Sequence, residues 1–204
     1  MKNTTPYSRR QFLKASGLIT LSTFLPIPSS VFGRDQVSTI RFGLTTDSHY
    51  ADREHSGTRY YRQSIDKMNE FVEVMNREKV DFVVHLGDFK DQDSDPREED
   101  TVRYLKTLES AYGQFDGPRY HCVGNHDVDS ITKSQFLSYI ENTGIAKDKS
   151  YYSFDRNGYH FVVLDANYHA DGRDQFYLEG ADWQDPNIPE VEYNWLRQDL
   201  EKNE

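Results

Sequence analysis

Apolar and polar positions follow two alternating patterns in the central part of the chain. Short apolar runs, rich in β-branched residues and ending in polar clusters, predict strands at 38–47, 80–88 and 119–127. Between these runs, apolar residues recur at helical spacing, which predicts amphipathic helices over 57–79 and 102–112. The second run is nearly all apolar, as expected for a strand that is covered on both faces.

The pattern changes after the third strand. A short helix is predicted over 134–144, and two apolar runs within 151–167 flank Asn157-Gly158, a typical hairpin turn. The stretch that follows has no periodicity and predicts a long loop, and 190–204 begins a final helix. This order of strands and helices favours an α/β layered fold, in which ligands bind at the carboxyl ends of the strands.

The N-terminal segment has the character of a targeting signal. An arginine pair within 8–14 precedes an apolar stretch at 15–28 that is too short, and too rich in small residues and proline, to span a membrane. The sequence Ser-Arg-Arg-Gln-Phe-Leu-Lys resembles the twin-arginine export signal at every fixed position; the alternative is a chance basic helix. We therefore expect a signal peptide at 1–33, a domain at 34–204, partnership with the twin-arginine machinery, a periplasmic or secreted location and no stable membrane anchor.

The composition is that of a folded protein whose surface repels polyanions. Of the 204 residues, 28% are charged and 14% aromatic, and this length suffices for one domain with a sizeable core. The formal net charge is −10 and no basic run forms a patch, so we expect no nucleic acid partner. Cys122 is the single cysteine, which excludes an intramolecular disulfide.

Each of the three predicted strands ends in a cluster of polar side chains. Because these clusters lie at strand exits, the fold would bring them to one edge of the sheet. Carboxylate, imidazole and amide groups together suit divalent Mn, Fe or Zn. The clustered residues are Asp47 and His49, then Asp88 and Asp91, then Asn125, His126 and Asp127.

The order D-x-H, G-D-x-x-D and G-N-H-D, over roughly 40–130, resembles the calcineurin-like metallophosphoesterases. The resemblance implies a layered β-sandwich flanked by helices and a centre of two divalent metal ions. Asp47 and His49 would bind the first ion, Asp88 would bridge both ions, and Asn125 would bind the second. Such a centre activates a shared water molecule for attack on phosphorus, and so implies hydrolysis of a phosphoester or pyrophosphate.

The resemblance also implies roles for the remaining members of these motifs. His126 would act on the substrate rather than on a metal, either neutralising charge in the transition state or protonating the leaving oxygen. Asp127 would orient the His126 ring, and Asp91 would orient nearby groups from behind the metal ligands.

Two further motifs of the family, a lone histidine after a later strand and G-H-x-H, supply additional metal ligands, and these 204 residues contain no G-H-x-H. We expect a truncated chain that lacks the C-terminal part of the fold and has an incomplete second metal site; a divergent complete member is the alternative. His169 is the best substitute ligand, whereas His85 and His121, inside strands, are expected to be core histidines.

A finer resemblance concerns the substrate. The segment 48–62, with Tyr-Ala-Asp and then Arg-Tyr-Tyr-Arg, looks like the manganese-dependent ADP-ribose/CDP-alcohol diphosphatases, although those often have glutamine at the position of His49. It implies a small phosphorylated substrate, such as a nucleotide-linked molecule, with Arg59 and Arg62 gripping phosphate. Tyr60 and Tyr61 are better explained as helix anchors. The alternatives are an enzyme that scavenges extracellular phosphoesters, and a non-catalytic metal- or ligand-binding fragment; a nuclease is disfavoured by the acidic charge.

Overall fold

The computed structural model describes residues 39–176, 178, 180 and 182–203. The signal peptide predicted at 1–33 lies outside the described residues, as do residues 34–38 of the predicted domain. Among the described helices, none combines the length and the apolar character needed to cross a membrane.

A parallel three-stranded sheet forms the centre of the fold. Its strands β1 (Phe42–Thr45), β2 (Phe82–His85) and β3 (Arg119–His121) lie in the order β1-β2-β3. The crossovers contain helices α1 (Ser64–Glu78) and α2 (Glu98–Tyr112). The three predicted strands and both predicted helices are therefore confirmed, and the carboxyl ends of the strands share one edge of the sheet.

Helix α1 begins later than its sequence pattern predicts. The residues before Ser64 form turns in which Tyr61 is buried against Ala51 and Tyr104. The Arg53 guanidinium covers the Tyr61 ring at 3.9 Å from its centroid. Tyr61 thus anchors the approach to the helix, as predicted, whereas the same prediction for Tyr60 is wrong because its side chain is 59% exposed.

The side chains of β2 alternate between two layers. Val83 packs with α1 and α2 in the larger core cluster, whereas Phe82 and Val84 point to the opposite face. A hairpin of β4 (Tyr152–Arg156) and β5 (Tyr159–Val163) covers that face through a cluster of aromatic rings. Two sheets therefore face each other with helices outside the larger one, which confirms the predicted α/β layered architecture.

Helix α3 (Lys133–Tyr139) is shorter than the helix predicted at 134–144. Thr132 and Gln135 form a reciprocal cap at its start, where the Gln135 N–H donates to Thr132 Oγ1 at 3.2 Å. The helix ends because Ile140 takes an extended backbone conformation and buries its side chain in the core.

The last described helix, α4 (Glu190–Lys202), packs against the hairpin. His160 on β5 links the two elements, since its Nε2 lies 2.6 Å from Asp199 Oδ2 on α4 while its Nδ1 lies 2.8 Å from Asp155 Oδ1 on β4. The carboxylates of Asp155 and Asp199 raise the pKa of His160, which favours the protonated ring between hairpin and helix.

Candidate metal centre

The loops that leave β1 and β2 continue side by side beyond the strands. The Asp47 N–H donates to the Gly87 carbonyl at 3.1 Å, and the His49 N–H donates to the Asp88 carbonyl at 3.0 Å. These bonds extend the pairing of β1 with β2 into the polar clusters, so they fix the first and second motifs relative to each other.

Three predicted metal ligands have a backbone conformation that side chains rarely adopt. Asp47, His49 and Asp88 have φ angles of 54°, 45° and 56°. Left-handed backbone costs a residue other than glycine roughly 1 kcal/mol or more, and such residues cluster at functional sites. The fold holds these three residues there and thereby turns their side chains toward one point.

Two glycines allow the second and third motifs to meet. A Cβ atom on Gly124 would overlap the backbone nitrogen and Oδ1 of Asp88, and one on Gly87 would lie 2.9 Å from the Gly124 Cα. The His126 N–H then donates to Asp88 Oδ1 at 3.0 Å. The glycines of G-D and G-N-H-D are therefore required by this close approach of the two loops.

The side chains of Asp47, His49 and Asp88 converge as a group of possible metal ligands. His49 Nε2 lies 3.5 Å from Asp47 Oδ1 and 3.6 Å from Asp88 Oδ2. Ligand atoms about 2.0–2.6 Å from one ion lie about 3–4 Å from one another, so these separations fit a shared cation. The donor set of two carboxylates and one imidazole fits Mn, Fe or Zn.

Asp91 lies behind the imidazole of His49. Its Oδ2 is 3.1 Å from His49 Nδ1, and its side chain is almost fully buried. Burial alone would raise the pKa of Asp91, but the contact with His49 and a hydrogen bond from the Gln92 N–H outweigh burial and lower it. An ionised Asp91 holds the proton on Nδ1 and leaves Nε2 to face the metal position.

The His126 ring lies beside the same buried carboxylate. Its Nδ1 is 3.6 Å from Asp91 Oδ2 and 3.5 Å from Asp129 Oδ2. Burial lowers the pKa of His126, but the neighbouring carboxylates of Asp129, Asp91 and Asp88 outweigh it, so the pKa is raised. The ring is thus suited to carry a proton beside the metal ligands.

The prediction that Asp127 orients the His126 ring needs correction. Asp127 is fully buried, and its Oδ1 accepts hydrogen bonds from the N–H groups of Phe89 at 2.9 Å and Lys90 at 3.3 Å, while Oδ2 accepts one from Gly124 at 2.8 Å. These bonds use the carboxylate to join the second and third motifs through their backbones.

Asp129 takes the position beside His126 instead, and helix geometry gives the reason. Asn125–Val128 forms a 3₁₀ helix, in which residues three apart project from the same side. The fully buried Lys90 ammonium forms an ion pair with Oδ1 of Asp129, the oxygen that does not face His126, and so holds this carboxylate in place. Sequence reasoning missed Asp129; its i,i+3 spacing from His126 was the available signal.

A cavity of about 460 Å³ opens beside the predicted ligands. Sequence reasoning did not identify three of its residues, Gln92, Asp129 and Trp183. Its lining comprises Arg59, Asp88, Gln92, Asn125, His126, Asp129 and Trp183.

Residues 40–204 match the calcineurin-like phosphoesterases. The chain belongs to this family. The manganese-dependent ADP-ribose/CDP-alcohol diphosphatase of Oryza sativa subsp. japonica is 33% identical over 132 residues, covering 61% of this chain and 40% of that protein. The proteins of the same name from Arabidopsis thaliana and Danio rerio are 33% and 32% identical, over 61% of this chain and 41% and 44% of their own lengths.

The fold is also similar to a solved structure, that of a dimetal phosphatase from Danio rerio. The TM-score is 0.62 at 24% identity, covering 79% of this chain and 65% of that chain. This likeness supports the layered fold. The chain spans about two-fifths of the length of the curated relatives that it matches.

The two arginines predicted to grip phosphate differ in their surroundings. Arg59 lines the cavity beside the predicted metal ligands, with Nη1 3.4 Å from Asp91 Oδ2 and 3.3 Å from His126 Nε2. Arg62 instead forms ion pairs with Asp52 at 2.6 Å and Glu54 at 2.7 Å. Arg62 therefore holds the preceding loop, and its predicted contact with phosphate is not supported by its position.

Besides Asp47, His49 and Asp88, the described residues contain a second group of possible metal ligands, formed by His49, Asp91 and His126, and His169 belongs to neither group. Its backbone forms a turn, in which the His169 N–H donates to the Arg173 carbonyl and the Gly172 N–H donates to the His169 carbonyl, both at 2.8 Å. The structure thus gives no support to His169 as a substitute for the ligands of the missing family motifs.

The predicted core histidines are confirmed in their burial. His85 is fully buried, with Nε2 2.8 Å from Ser48 Oγ, and burial lowers its pKa well below the usual range. His121 is also buried, and its Nε2 lies 3.1 Å from Glu109 Oε2. Both rings therefore belong to the packing beneath the metal centre.

Proposed function

We propose that this phosphoesterase hydrolyses a diphosphate bond in a nucleotide-linked small molecule with the help of two divalent metal ions, of which manganese is the first candidate. The observation that carries the proposal is the convergence of Asp47, His49 and Asp88 on one point. The three curated relatives are named as manganese-dependent diphosphatases, which supports both the bond type and the metal.

The residues divide between two metal positions. Asp47 and His49 would hold one ion, Asn125 would hold the other, and Asp88, between the two sets, would be shared. Bound divalent ions lower the pKa of a coordinated water molecule and neutralise phosphoryl oxygens. Asp91 keeps His49 in the tautomer that offers Nε2, since it lies 3.1 Å from Nδ1.

His126 and Arg59 would act on the substrate. When water attacks phosphorus, the bond to the leaving phosphate oxygen breaks and that oxygen gains charge. His126, with its raised pKa, can donate a proton to this oxygen. The Arg59 guanidinium, 3.3 Å from the His126 ring, can bind the adjacent phosphate and orient the leaving group.

The test combines metal binding with hydrolysis. The full chain, Asp88→Asn and the control Asp66→Asn would be titrated with Mn²⁺ by calorimetry and assayed with ADP-ribose. Asp66 is an exposed carboxylate on α1, so its replacement changes the charge equally without touching the site. We expect Asp88→Asn to lose Mn²⁺ affinity and hydrolysis while the control keeps both. Metal binding without hydrolysis by the wild-type chain would contradict the enzymatic proposal and favour a metal-binding fragment.

We also propose export by the twin-arginine route, on the sequence of residues 8–14 alone. A reporter fused after residue 33 should leave the cytoplasm only while Arg9 and Arg10 are intact. Unchanged export after replacement of both arginines by lysine would refute this route.

A further inference from the structure

The indole of Trp183 stands exposed at the cavity beside the metal centre. Its side chain is 60% exposed, and it lines the same cavity as Asp88, Asn125 and His126. Trp183 makes no stacked or edge-to-face ring contact among the described aromatic side chains, whereas Trp195 packs against Tyr151 with ring centroids 5.0 Å apart. A large aromatic face is thus available to a ligand in the cavity.

We propose that Trp183 is a stacking platform for a planar heteroaromatic group, such as the base of a nucleoside phosphate held at the metal centre. This inference rests on the proposed function and assigns a position to one part of its substrate.

The backbone on both sides of Trp183 is held in place by one buried side chain. Gln175 is nearly fully buried, and its Nε2 donates to the carbonyls of Asp182 at 3.3 Å and Asp185 at 3.0 Å. The Asp185 N–H closes the turn by donating to the Asp182 carbonyl at 3.0 Å, and the Gln184 N–H donates to Asp182 Oδ1 at 2.9 Å. The backbone of Trp183 is therefore held by a hydrogen-bonded turn, so less conformational entropy is lost when a ligand ring stacks on the indole.

The walls of the cavity match a ligand with one flat end and one charged end. Among the described residues of the lining, Trp183 is the one large apolar side chain, and Arg59, Asp88 and Asn125 line the same cavity. The volume of about 460 Å³ falls within the range of small-molecule sites. A phosphate at Arg59 and the metals would place an attached base within the same cavity as the indole.

A docking surface for another protein is the less favoured use of Trp183. Its neighbours along the turn are Asp182, Gln184 and Asp185, all exposed polar residues. Protein interfaces of stable complexes need a larger continuous contact surface with a desolvated centre. An exposed indole with polar flanks, in the same cavity as the predicted metal ligands, fits a small ligand better.

The test compares two probes that differ only in the presence of a base. Binding of AMP and of ribose 5-phosphate to the full chain in Mn²⁺ would be measured by calorimetry for wild type, Trp183→Ala and the control Tyr193→Ala. Tyr193 is an aromatic residue of similar exposure, 56%, on α4. Base stacking on an aromatic side chain contributes about fivefold to a hundredfold in affinity. We expect Trp183→Ala to lose that factor for AMP only, and Tyr193→Ala to change neither affinity.

Fluorescence locates the base independently of hydrolysis. The chain has two tryptophans, so Trp195→Phe leaves Trp183 as the sole indole. AMP should quench the emission of Trp195→Phe, and ribose 5-phosphate should not.

The outcomes separate this inference from the proposed function. If Trp183→Ala lowered the affinities for AMP and ribose 5-phosphate equally, or left the affinity for AMP unchanged, the stacking platform would be overturned. Phosphate binding by the wild-type chain would still support the metal centre. Binding of neither probe by wild type would overturn the platform and the proposed function together.

Discussion

Replacing Glu192 with glutamine should stabilise the fold, and the gain should be larger in mildly basic than in mildly acidic solution. Glu192 lies in the first turn of α4 and is fully buried. Its Oε1 accepts a hydrogen bond from the Asp165 N–H at 2.9 Å, and its Oε2 has no hydrogen-bond partner. The Asp165 carboxylate is also fully buried and lies 2.7 Å from Lys133 Nζ. Lys133 Nζ also lies 2.8 Å from Asp174 Oδ1, so this cation pairs with Asp165 and Asp174 rather than with Glu192.

The size of the effect follows from the pKa of Glu192. Burial is the largest cause that raises this pKa, followed by the charge of Asp165, and together they bring it from 4.5 to about 7 despite the opposing hydrogen bond and Lys133. Between these two values the folded chain keeps a proton that the unfolded chain has lost. Protonated Glu192 therefore stabilises the folded state fully below about pH 4.5, and this stabilisation is lost as the pH rises through about 7. The free energy of unfolding falls by at most about 1.4 kcal/mol for each pH unit, or about 3 kcal/mol over the window.

Urea denaturation followed by circular dichroism measures this difference. Glutamine keeps the Oε1 acceptor and cannot ionise, so its advantage over glutamate should grow by about 2 kcal/mol between about pH 5 and about pH 8. Glu190→Gln is the matched control, because Glu190 is exposed in the same helical turn. If wild type and Glu192→Gln lost stability in parallel as the pH rises, the assignment of a raised pKa to Glu192 would be wrong.

Two further predictions concern the metal centre. Gly124→Ala should lower the affinity for Mn²⁺ tenfold or more, measured by calorimetry, because the new Cβ would overlap Asp88 and push apart the loops that carry Asp88 and Gly124. Unchanged affinity would show that these loops can shift without cost. Arg59→Ala should raise the KM for ADP-ribose about tenfold, whereas Arg62→Ala, whose ion pairs lie in the preceding loop, should leave KM nearly unchanged; equal effects would contradict the separate roles of the two arginines.

The placement of the motifs could be predicted from the sequence because it depends on the chain's overall pattern. Apolar runs separated by amphipathic helices imply parallel strands, and parallel strands bring their exits to one edge. The hairpin turn was predictable from its two central residues alone, since Asn157 and Gly158 both tolerate the positive φ angles that they adopt, 50° and 82°.

The orientation of individual side chains could not be read from the pattern. Asp127 follows His126 directly, and the family resemblance implied that it orients the imidazole. The 3₁₀ helix separates neighbouring side chains and aligns those three apart, so Asp129 reaches the imidazole. The ion pairs of Arg62 could not be predicted for a similar reason, because its partners Asp52 and Glu54 come from a loop whose path the sequence does not specify.

The five carboxylates at this site differ in how far their oxygens are already engaged by the fold. Asp127 uses both oxygens on backbone N–H groups, and Asp129 is paired with a buried lysine. Asp91 divides its oxygens between the Gln92 N–H and an imidazole. The Asp47 side chain is 61% exposed; its Oδ2 accepts a hydrogen bond from the Thr46 hydroxyl at 2.6 Å, and its Oδ1 faces His49. Asp88 directs Oδ2 at His49 while its Oδ1 accepts one N–H. The fold thus engages both oxygens of Asp127 and of Asp91 and pairs Asp129 with a lysine, so Asp47 and Asp88 are the two carboxylates best placed to bind a cation.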